Sequence, residues 1–184
     1  GTLLAIGAPL DTVVQVIAPV SDRVYVAGVN SPRSVTLSGE RAALEQISTI
    51  FDENGVFARF VAVDVPYHSP YVDPTLPALV AGLDGLSPSV PHLPVVSTVR
   101  GTWAAQGTFG ADYWRRNVRG AVQFERATRT LLTQGYRHFI EVGPHPALMH
   151  SVRQTADALG QTVSVTSTLT RKRDDRRALE TMLG

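Results

Sequence analysis

The chain has 184 residues, of which 43% are hydrophobic and 18% charged, so it can bury a core and is not a disordered chain. Seventeen Lys and Arg oppose sixteen Asp and Glu, and this net charge of +1 gives no support for a nucleic-acid partner. The absence of cysteine excludes disulfides, thiolate metal sites and a cysteine nucleophile within the chain, and it is compatible with a cytoplasmic location.

The apolar N-terminal segment, residues 1–20, predicts neither a signal peptide nor a membrane-spanning helix. No basic residues precede its apolar run, and Asp11 interrupts that run. We therefore expect no membrane association. The chain also starts without Met, inside a predicted strand, and we interpret it as a piece of a larger protein.

The first 63 residues predict the element order β-α-β-β-α-β. The strands are expected at 2–6, 24–29, 34–38 and 57–63, and the helices from an N-cap at Asp11 and over 40–54. In the second helix Leu44, Ile47 and Phe51 recur at helical spacing, and Gly55 follows as a C-cap. This order is that of a ferredoxin-like subdomain, with an antiparallel sheet and helices on one face.

The residues from 64 onwards predict alternating strands and helices, which is typical of a parallel α/β layer. Strands are expected at 93–99, 137–142 and 162–166, and helices at 71–83, from 112, at 124–134, at 147–158 and at 172–182. Three strands make a thin sheet for an independent fold, so this half looks incomplete. We divide the chain into 1–63 and 64–184, the second part ending at the start of a following linker.

His68 is the first candidate for catalytic chemistry. It lies in an irregular segment between the two lobes, flanked by Pro66 and Pro70. Loops held by rigid elements often carry catalytic groups, although an ordinary surface histidine fits the same pattern. The other four histidines are interpreted as structural or surface residues, and no pair of histidines has metal-ligand spacing with neighbouring carboxylates. No serine lies in a G-x-S-x-G elbow, so the residues alone indicate a base without a nucleophile.

Four motifs then add a family to this interpretation. They are Val29–Val35 with Ser38–Gly39, Asp64–Pro70 with Asp73–Pro74, Asp112–Arg119 with Val122–Phe124, and Phe139–Pro146. In this order and spacing they resemble the acyltransferase domains of type I polyketide synthases, which are similar to malonyl-CoA:acyl carrier protein transacylases. The resemblance covers nearly the whole chain and corresponds to the C-terminal portion of such a domain.

The resemblance implies an α/β fold in which the ferredoxin-like subdomain is inserted into an α/β-hydrolase-like acyltransferase core. It also implies a transfer of an acyl group from coenzyme A to a serine, and then to the phosphopantetheine thiol of an acyl carrier protein. No bound cofactor is implied, since acyl-CoA and the phosphopantetheinylated carrier protein are substrates. The resemblance makes His68 the general base and then the general acid, aimed by a backbone carbonyl that motif alignment assigns to Asn117.

The family's nucleophilic serine elbow, oxyanion-hole glutamine and carboxylate-binding arginine all precede the inserted lobe and are not in these 184 residues. We therefore expect this chain alone to be inactive and to act together with the missing N-terminal half of the same domain.

The residues just before the histidine form part of the family's acyl pocket, here Val65, Pro66 and Tyr67. Neither the pattern typical of malonyl enzymes nor that of methylmalonyl enzymes is present. The bulky Tyr67 favours malonyl, because it leaves little room for a methyl branch.

Two other interpretations remain open. One is a non-catalytic α+β module that docks a carrier protein, with His68 as a bystander. The other is a self-sufficient hydrolase, against which the absence of a serine elbow argues.

Overall fold

The computed structural model describes residues 1–171, in which nine strands and six α-helices form. The strands are β1 (Thr2–Ile6), β2 (Val24–Ser31), β3 (Ser34–Gly39), β4 (Ala58–Phe60), β5 (Val96–Ser97), β6 (Thr102–Trp103), β7 (Val122–Gln123), β8 (His138–Glu141) and β9 (Ser164–Ser167). The helices are α1 (Leu10–Ile17), α2 (Arg41–Glu53), α3 (Leu76–Gly82), α4 (Ala111–Arg119), α5 (Phe124–Thr133) and α6 (Met149–Asp157). The helix expected at 172–182 and the linker lie outside the described residues.

A five-stranded sheet in the order β4-β1-β3-β2-β7 dominates the first half of the chain. The first four strands are antiparallel, with Leu4 opposite Leu37 in the β1–β3 pair. β7 comes from the second half of the chain and adds to β2 in parallel, with Gly28 opposite Val122. The β-α-β-β-α-β order predicted from the sequence is confirmed, and the fifth strand joins the two halves through backbone hydrogen bonds.

The hydrophobic core lies between this sheet and helices α1 and α2. Alternate residues of β1 and β3 contribute side chains that are almost fully buried, among them Leu4 and Leu37. Helix α1 contributes Val13, and helix α2 contributes Leu44 and Phe51, which lie on one face of that helix. All members of the cluster fall within residues 4–58, so this part of the chain has its own apolar core.

Two helix termini in this half test the sequence predictions. The prediction of Asp11 as an N-cap is wrong: α1 begins at Leu10 with Pro9 as the extended capping residue, and Asp11 falls in the first turn. There its carboxylate still lies near the positive end of the helix dipole. The prediction of a glycine stop after α2 is confirmed, because Gly55 has φ = 68° and so adopts the left-handed conformation.

The second half forms two small sheets instead of one parallel layer. β8 and β9 are parallel, with Phe139 opposite Val165, whereas β5 and β6 form an antiparallel pair. The buried strand expected over 93–99 is reduced to two residues, and Leu93 is 76% exposed. Pro94 lacks an N–H group and so cannot extend the ladder in that direction.

The helix expected over 71–83 is divided into two parts. Residues Pro70–Thr75 form a 3-10 helix, and α3 begins only at Leu76. Pro74 explains the division, because it has no N–H group to donate within an α-helix. Among residues 1–171, no helix is both long and apolar enough to cross a membrane.

Candidate active site

His68 has an unusual backbone conformation. Its φ angle is 61°, and it is the only non-glycine residue with a positive φ in the described part of the chain. Two neighbours fix this conformation: the buried Ser69 hydroxyl donates to the Pro66 carbonyl at 2.6 Å, and the Tyr67 N–H donates to the Val65 carbonyl at 2.9 Å. Such backbone strain persists where the surroundings impose it, often at functional sites.

The end of helix α4 holds both the backbone and the side chain of His68. The His68 N–H donates to the Val118 carbonyl at 3.1 Å, and Nδ1 lies 2.9 Å from the Gly120 carbonyl oxygen. A carbonyl oxygen can only accept, so Nδ1 carries the hydrogen in this arrangement. In the neutral ring Nε2 then keeps a free lone pair, which is the form required of a general base.

Helix α4 can offer these carbonyls because it ends there. The last carbonyl groups of an α-helix have no partner within the helix and bond to whatever lies beyond its end. At this end the Gly120 N–H returns to the Arg116 carbonyl at 2.7 Å, and the chain then leaves in an extended conformation. A side chain on Gly120 would meet that same Arg116 oxygen, since an added Cβ would lie only 2.9 Å from it.

The assignment of the aiming carbonyl to Asn117 is wrong. Asn117 is the third residue from the end of α4, and the oxygen beside His68 Nδ1 is that of Gly120. Motif alignment placed Asn117 near the histidine but could not locate the residue at which α4 ends. The structure therefore brings His68 to positions 118 and 120 of the same motif.

The segment that follows His68 is tied to two elements. The Arg119 guanidinium contacts the Asp73 carboxylate, with 2.5 Å between Nε and Oδ1. The Tyr71 hydroxyl donates to the Glu40 carboxylate at 3.2 Å, and its ring lies edge-on to Tyr25 at 6.0 Å between centroids. Burial raises the pKa of Tyr71, and the bond to the Glu40 carboxylate raises it further. Together these contacts fix the 3-10 helix 70–75 between α4 and the five-stranded sheet.

The three expected pocket residues lie beside His68 in the same turn. Tyr67 and Val65 are 44% and 41% exposed, and Pro66 is half-buried beside Gly1. The Tyr67 ring lies 6.4 Å from the His68 ring between centroids. Their exposed surfaces are available to a ligand or to further protein at this site.

Comparison with known proteins decides the family. The acyl transferase domain family matches residues 4–184. The chain belongs to this family. The resemblance to polyketide synthase acyltransferases is thereby confirmed, and the relatives and solved structures it matches are polyketide synthase domains and their malonyl-transferase counterparts.

Three of these similarities illustrate the match. Polyketide synthase GfsE from Streptomyces halstedii is 36% identical over 174 residues, which are 94% of this chain and 5% of GfsE. The acyltransferase domain from module 8 of the salinomycin polyketide synthase is 33% identical with a TM-score of 0.95, over 99% of this chain and 43% of that one. The malonyl CoA-acyl carrier protein transacylase from Clostridium perfringens is 25% identical with a TM-score of 0.82, over 99% of this chain and 56% of that one. The chain thus spans about half of each of the two solved structures and a small part of the synthase.

The acyltransferase signature at 139–146 has a structural role here. The Glu141 carboxylate accepts the N–H groups of Ala147, Leu148 and Met149 at 2.8 to 3.2 Å. These are the unpaired donors at the start of α6, and a carboxylate is the natural cap for them. Glu141 therefore holds the turn between β8 and α6. It forms no bond to His68.

An apolar cavity of about 330 Å³ opens beside β8 in this acyltransferase chain. Phe124, Leu131, Phe139, Met149 and Val165 are among the side chains that line it. At its rim Val142 is 83% exposed and Ile140 is 58% exposed. Exposed apolar side chains grouped beside a cavity are typical of surfaces that bind a ligand or another protein segment.

The ring of His68 has no hydroxyl partner within residues 1–171. The Ser69 hydroxyl is already donated to the Pro66 carbonyl, and within this range the only hydrogen bond of the His68 side chain is the one to Gly120. Nor do the described residues contain a group of three His, Cys, Asp or Glu side chains suited to a metal ion. What this part of the chain presents is an oriented imidazole with a free Nε2.

Proposed function

We propose that this chain is part of an acyltransferase that moves an α-carboxyacyl group from coenzyme A to the phosphopantetheine thiol of an acyl carrier protein. The intermediate is an acyl-serine ester on a serine outside this chain. The observation that carries the proposal is the bond from His68 Nδ1 to the Gly120 carbonyl, since it leaves Nε2 free to accept a proton.

In the first half-reaction the serine hydroxyl gives its proton to Nε2 of His68 while its oxygen attacks the thioester carbonyl. The tetrahedral intermediate then expels the coenzyme A sulfur, and the C–S bond breaks. The imidazolium returns the proton to that sulfur. The products are acyl-serine, coenzyme A thiol and a neutral His68.

The second half-reaction runs the same steps in reverse. The carrier-protein thiol gives its proton to Nε2, and its sulfur attacks the acyl-serine carbonyl. The serine oxygen leaves and takes the proton back from His68. Throughout both halves the Gly120 carbonyl stabilises the imidazolium and prevents the ring from turning, which is the task that a carboxylate performs in other triads.

The proposal extends to the fold and to the partner half. Residues 1–63 would form a ferredoxin-like subdomain, as their β-α-β-β-α-β order and antiparallel sheet support. Residues 64–184 would belong to an α/β-hydrolase-like core completed by the rest of the domain. The apolar cavity beside β8 supports this, because Ile140 and Val142 would pack there against the N-terminal half.

For the acyl group we propose malonyl, and for the pocket wall Val65, Pro66 and Tyr67. The support is the size of Tyr67 and the 6.4 Å between its ring and that of His68. Acyl-CoA and the carrier protein are the expected partners, with no bound cofactor and no nucleic acid or membrane. A cytoplasmic location stays a prediction from the cysteine-free sequence.

A chimera tests the proposal. This chain replaces the matching segment in the acyltransferase domain from module 8 of the salinomycin synthase, and acyl transfer from malonyl-CoA to a carrier protein is measured. We expect transfer by the chimera, none by the isolated chain, and a loss of about 10³-fold or more in kcat after His68→Ala. His92→Ala, in an exposed loop, is the matched control and keeps full activity.

Two results would contradict the proposal. Full activity of the His68→Ala chimera would leave the competing interpretation, a carrier-protein docking module in which His68 is a bystander. Serine-dependent acylation of the isolated 184-residue chain by malonyl-CoA would show that the nucleophile lies within it.

A further inference from the structure

Three consecutive residues at the end of α4 bond to the short segment that begins with His68. Val118 accepts the His68 N–H at 3.1 Å, and Gly120 faces His68 Nδ1 at 2.9 Å. Between them Arg119 contacts the Asp73 carboxylate at 2.5 Å through its side chain. The first two contacts orient the histidine itself, whereas the third fixes the 3-10 helix that starts two residues later.

We propose that the Asp73–Arg119 ion pair is a positioning element that keeps the His68 imidazole on the Gly120 carbonyl. Neither residue contacts the reacting atoms, so both act through His68. The proposal rests on the proposed role of His68 as a general base, because only that role gives the orientation of the ring a consequence for the reaction.

The topology of this pair distinguishes it from the ion pairs that form within a single helix. Arg129 and Glu125 face each other one turn apart within α5 and connect nothing beyond that helix. Asp73 and Arg119 are separated by 46 residues and link two different segments. Their side chains are 51% and 34% exposed, so the pair contributes little to global stability. Its effect should therefore appear in the local geometry of His68.

Loss of the pair would free the 3-10 helix 70–75 to move relative to the end of α4. His68 moves with that helix, since only Ser69 separates them. The ring then leaves the Gly120 carbonyl for part of the time, and Nδ1 is no longer held in its protonated form. In the opposite tautomer Nε2 carries the hydrogen and cannot accept a proton from serine.

Nuclear magnetic resonance of the 184-residue chain labelled with ¹⁵N-histidine tests this directly, since long-range ¹H–¹⁵N correlations report the tautomer. In the unmodified chain we expect His68 in the Nδ1–H form. Arg119→Ala and Asp73→Asn should each lower the ratio of the Nδ1–H to the Nε2–H form by about threefold or more. Arg129→Ala is the matched control, and it should leave the ratio unchanged.

Charge reversal separates the ion pair from the individual side chains. Asp73→Arg and Arg119→Asp should each disturb the tautomer, and the double variant should recover the Nδ1–H form. Circular dichroism establishes that each variant is folded. If Arg119→Ala does not fold, Asp73→Asn is decisive, because it removes the charge and keeps the shape. Unchanged tautomer ratios in folded Asp73→Asn overturn the proposal.

The chimera supplies the kinetic readout. Arg119→Ala should lower kcat about tenfold and change KM for malonyl-CoA by less than about twofold, since ring placement matters for proton transfer and not for substrate binding. The two proposals fail in different ways. If His68 is not a base, the chimera keeps its transfer activity after His68→Ala, while the tautomer of His68 still responds to Arg119→Ala. If only the positioning role is wrong, transfer and tautomer both survive Arg119→Ala.

Discussion

At the scale of single residues, His68 is defined by its main chain as much as by its ring. A φ of 61° turns the residue out of the regular path, and the Val118 and Gly120 carbonyls then hold it on two sides. Either bond alone would leave the ring free to rotate or the backbone free to relax. With both present, the Nδ1–H tautomer is favoured, and in the proposed mechanism this preorganisation lowers the cost of proton transfer.

Tyr67 carries the prediction on selectivity. Tyr67→Ser in the chimera should lower the ratio of kcat/KM for malonyl-CoA to that for methylmalonyl-CoA by about tenfold, with kcat for malonyl-CoA little changed. The reason is that a smaller side chain beside the ring makes room for one methyl group. Competition between the two acyl-CoA substrates measures this ratio. Tyr136→Ser, an exposed tyrosine distant in sequence, is the control. An unchanged ratio of kcat/KM values in Tyr67→Ser would refute the role of Tyr67 in the pocket.

At the scale of elements, the end of α4 is the feature that the candidate site depends on. The first turn of the helix contains Asp112, whose carboxylate pairs with Arg115 at 2.8 Å and with Arg116 at 2.7 Å. The hydrogen bond from Arg115 lowers the pKa of Asp112, and the charge of Arg116 adds to this. The helix thus has its own local stabilisation at one end, while its last carbonyls at the other end serve His68.

Gly120 and Asn117 give a prediction that separates main chain from side chain. Gly120→Ala should lower kcat of the chimera about tenfold or more, because the new Cβ collides with the Arg116 oxygen and displaces the carbonyl that faces His68. Asn117→Ala should stay within about threefold, because its side chain forms no bond to His68. Gly110→Ala at the start of α4 is the control, since its added Cβ meets nothing closer than 3.8 Å. Steady-state kinetics of the three variants measure these losses in kcat. Equal losses for Asn117→Ala and Gly120→Ala would contradict the assignment of the carbonyl.

Several elements could be predicted from the sequence because their signals are local. β1 was predicted with its observed bounds, since an apolar run ends at Gly7 and Pro9. The division of the helix at Pro74 and the shortening of the strand near Pro94 follow from missing N–H groups, and the prolines that cause them are visible in the sequence. The pairing of β7 with β2 could not be found in this way, because it joins segments far apart in the sequence.

The candidate site was predictable only in part. His68 could be identified from its two flanking prolines and then from the motif, because the type of each side chain can be read directly from the sequence. The Gly120 carbonyl could not be identified in the same way, because every residue has a carbonyl. Only the point at which α4 ends decides which carbonyl lacks a partner within the helix. The motif alone points to Asn117, three residues before Gly120.

At the scale of the whole molecule, one part of the chain has its own buried core, and another part exposes apolar side chains. The cluster within residues 4–58 has its own core, whereas the region around β8 exposes Ile140 and Val142 beside the apolar cavity. The free energy of the molecule falls when further protein covers an apolar surface of this kind and removes it from water. The surface therefore belongs with the proposed packing of the N-terminal half of the domain.

Val142 tests this packing. In the isolated chain Val142→Ser should change the free energy of unfolding by less than about 0.5 kcal/mol, because the side chain is already in water. In the chimera the same change should cost about 1–2 kcal/mol, because the side chain is then buried. Val90→Ser, in an exposed loop, should be neutral in both. Denaturant unfolding measures all four variants. A neutral Val142→Ser in the chimera would show that this surface stays uncovered.

The two oxygen atoms that hold His68, one at its ring and one at its backbone N–H, belong to the main chain, and single substitutions therefore report poorly on them. Exchanging Val118 for most other residues leaves its carbonyl where it was, so a scan of single replacements would score that position as tolerant. Tolerance there would not mean that the position is idle. Replacing one amide by an ester weakens the carbonyl as a hydrogen-bond acceptor without changing any side chain. This replacement would measure how much the carbonyl contributes to holding His68, which side-chain substitutions do not detect.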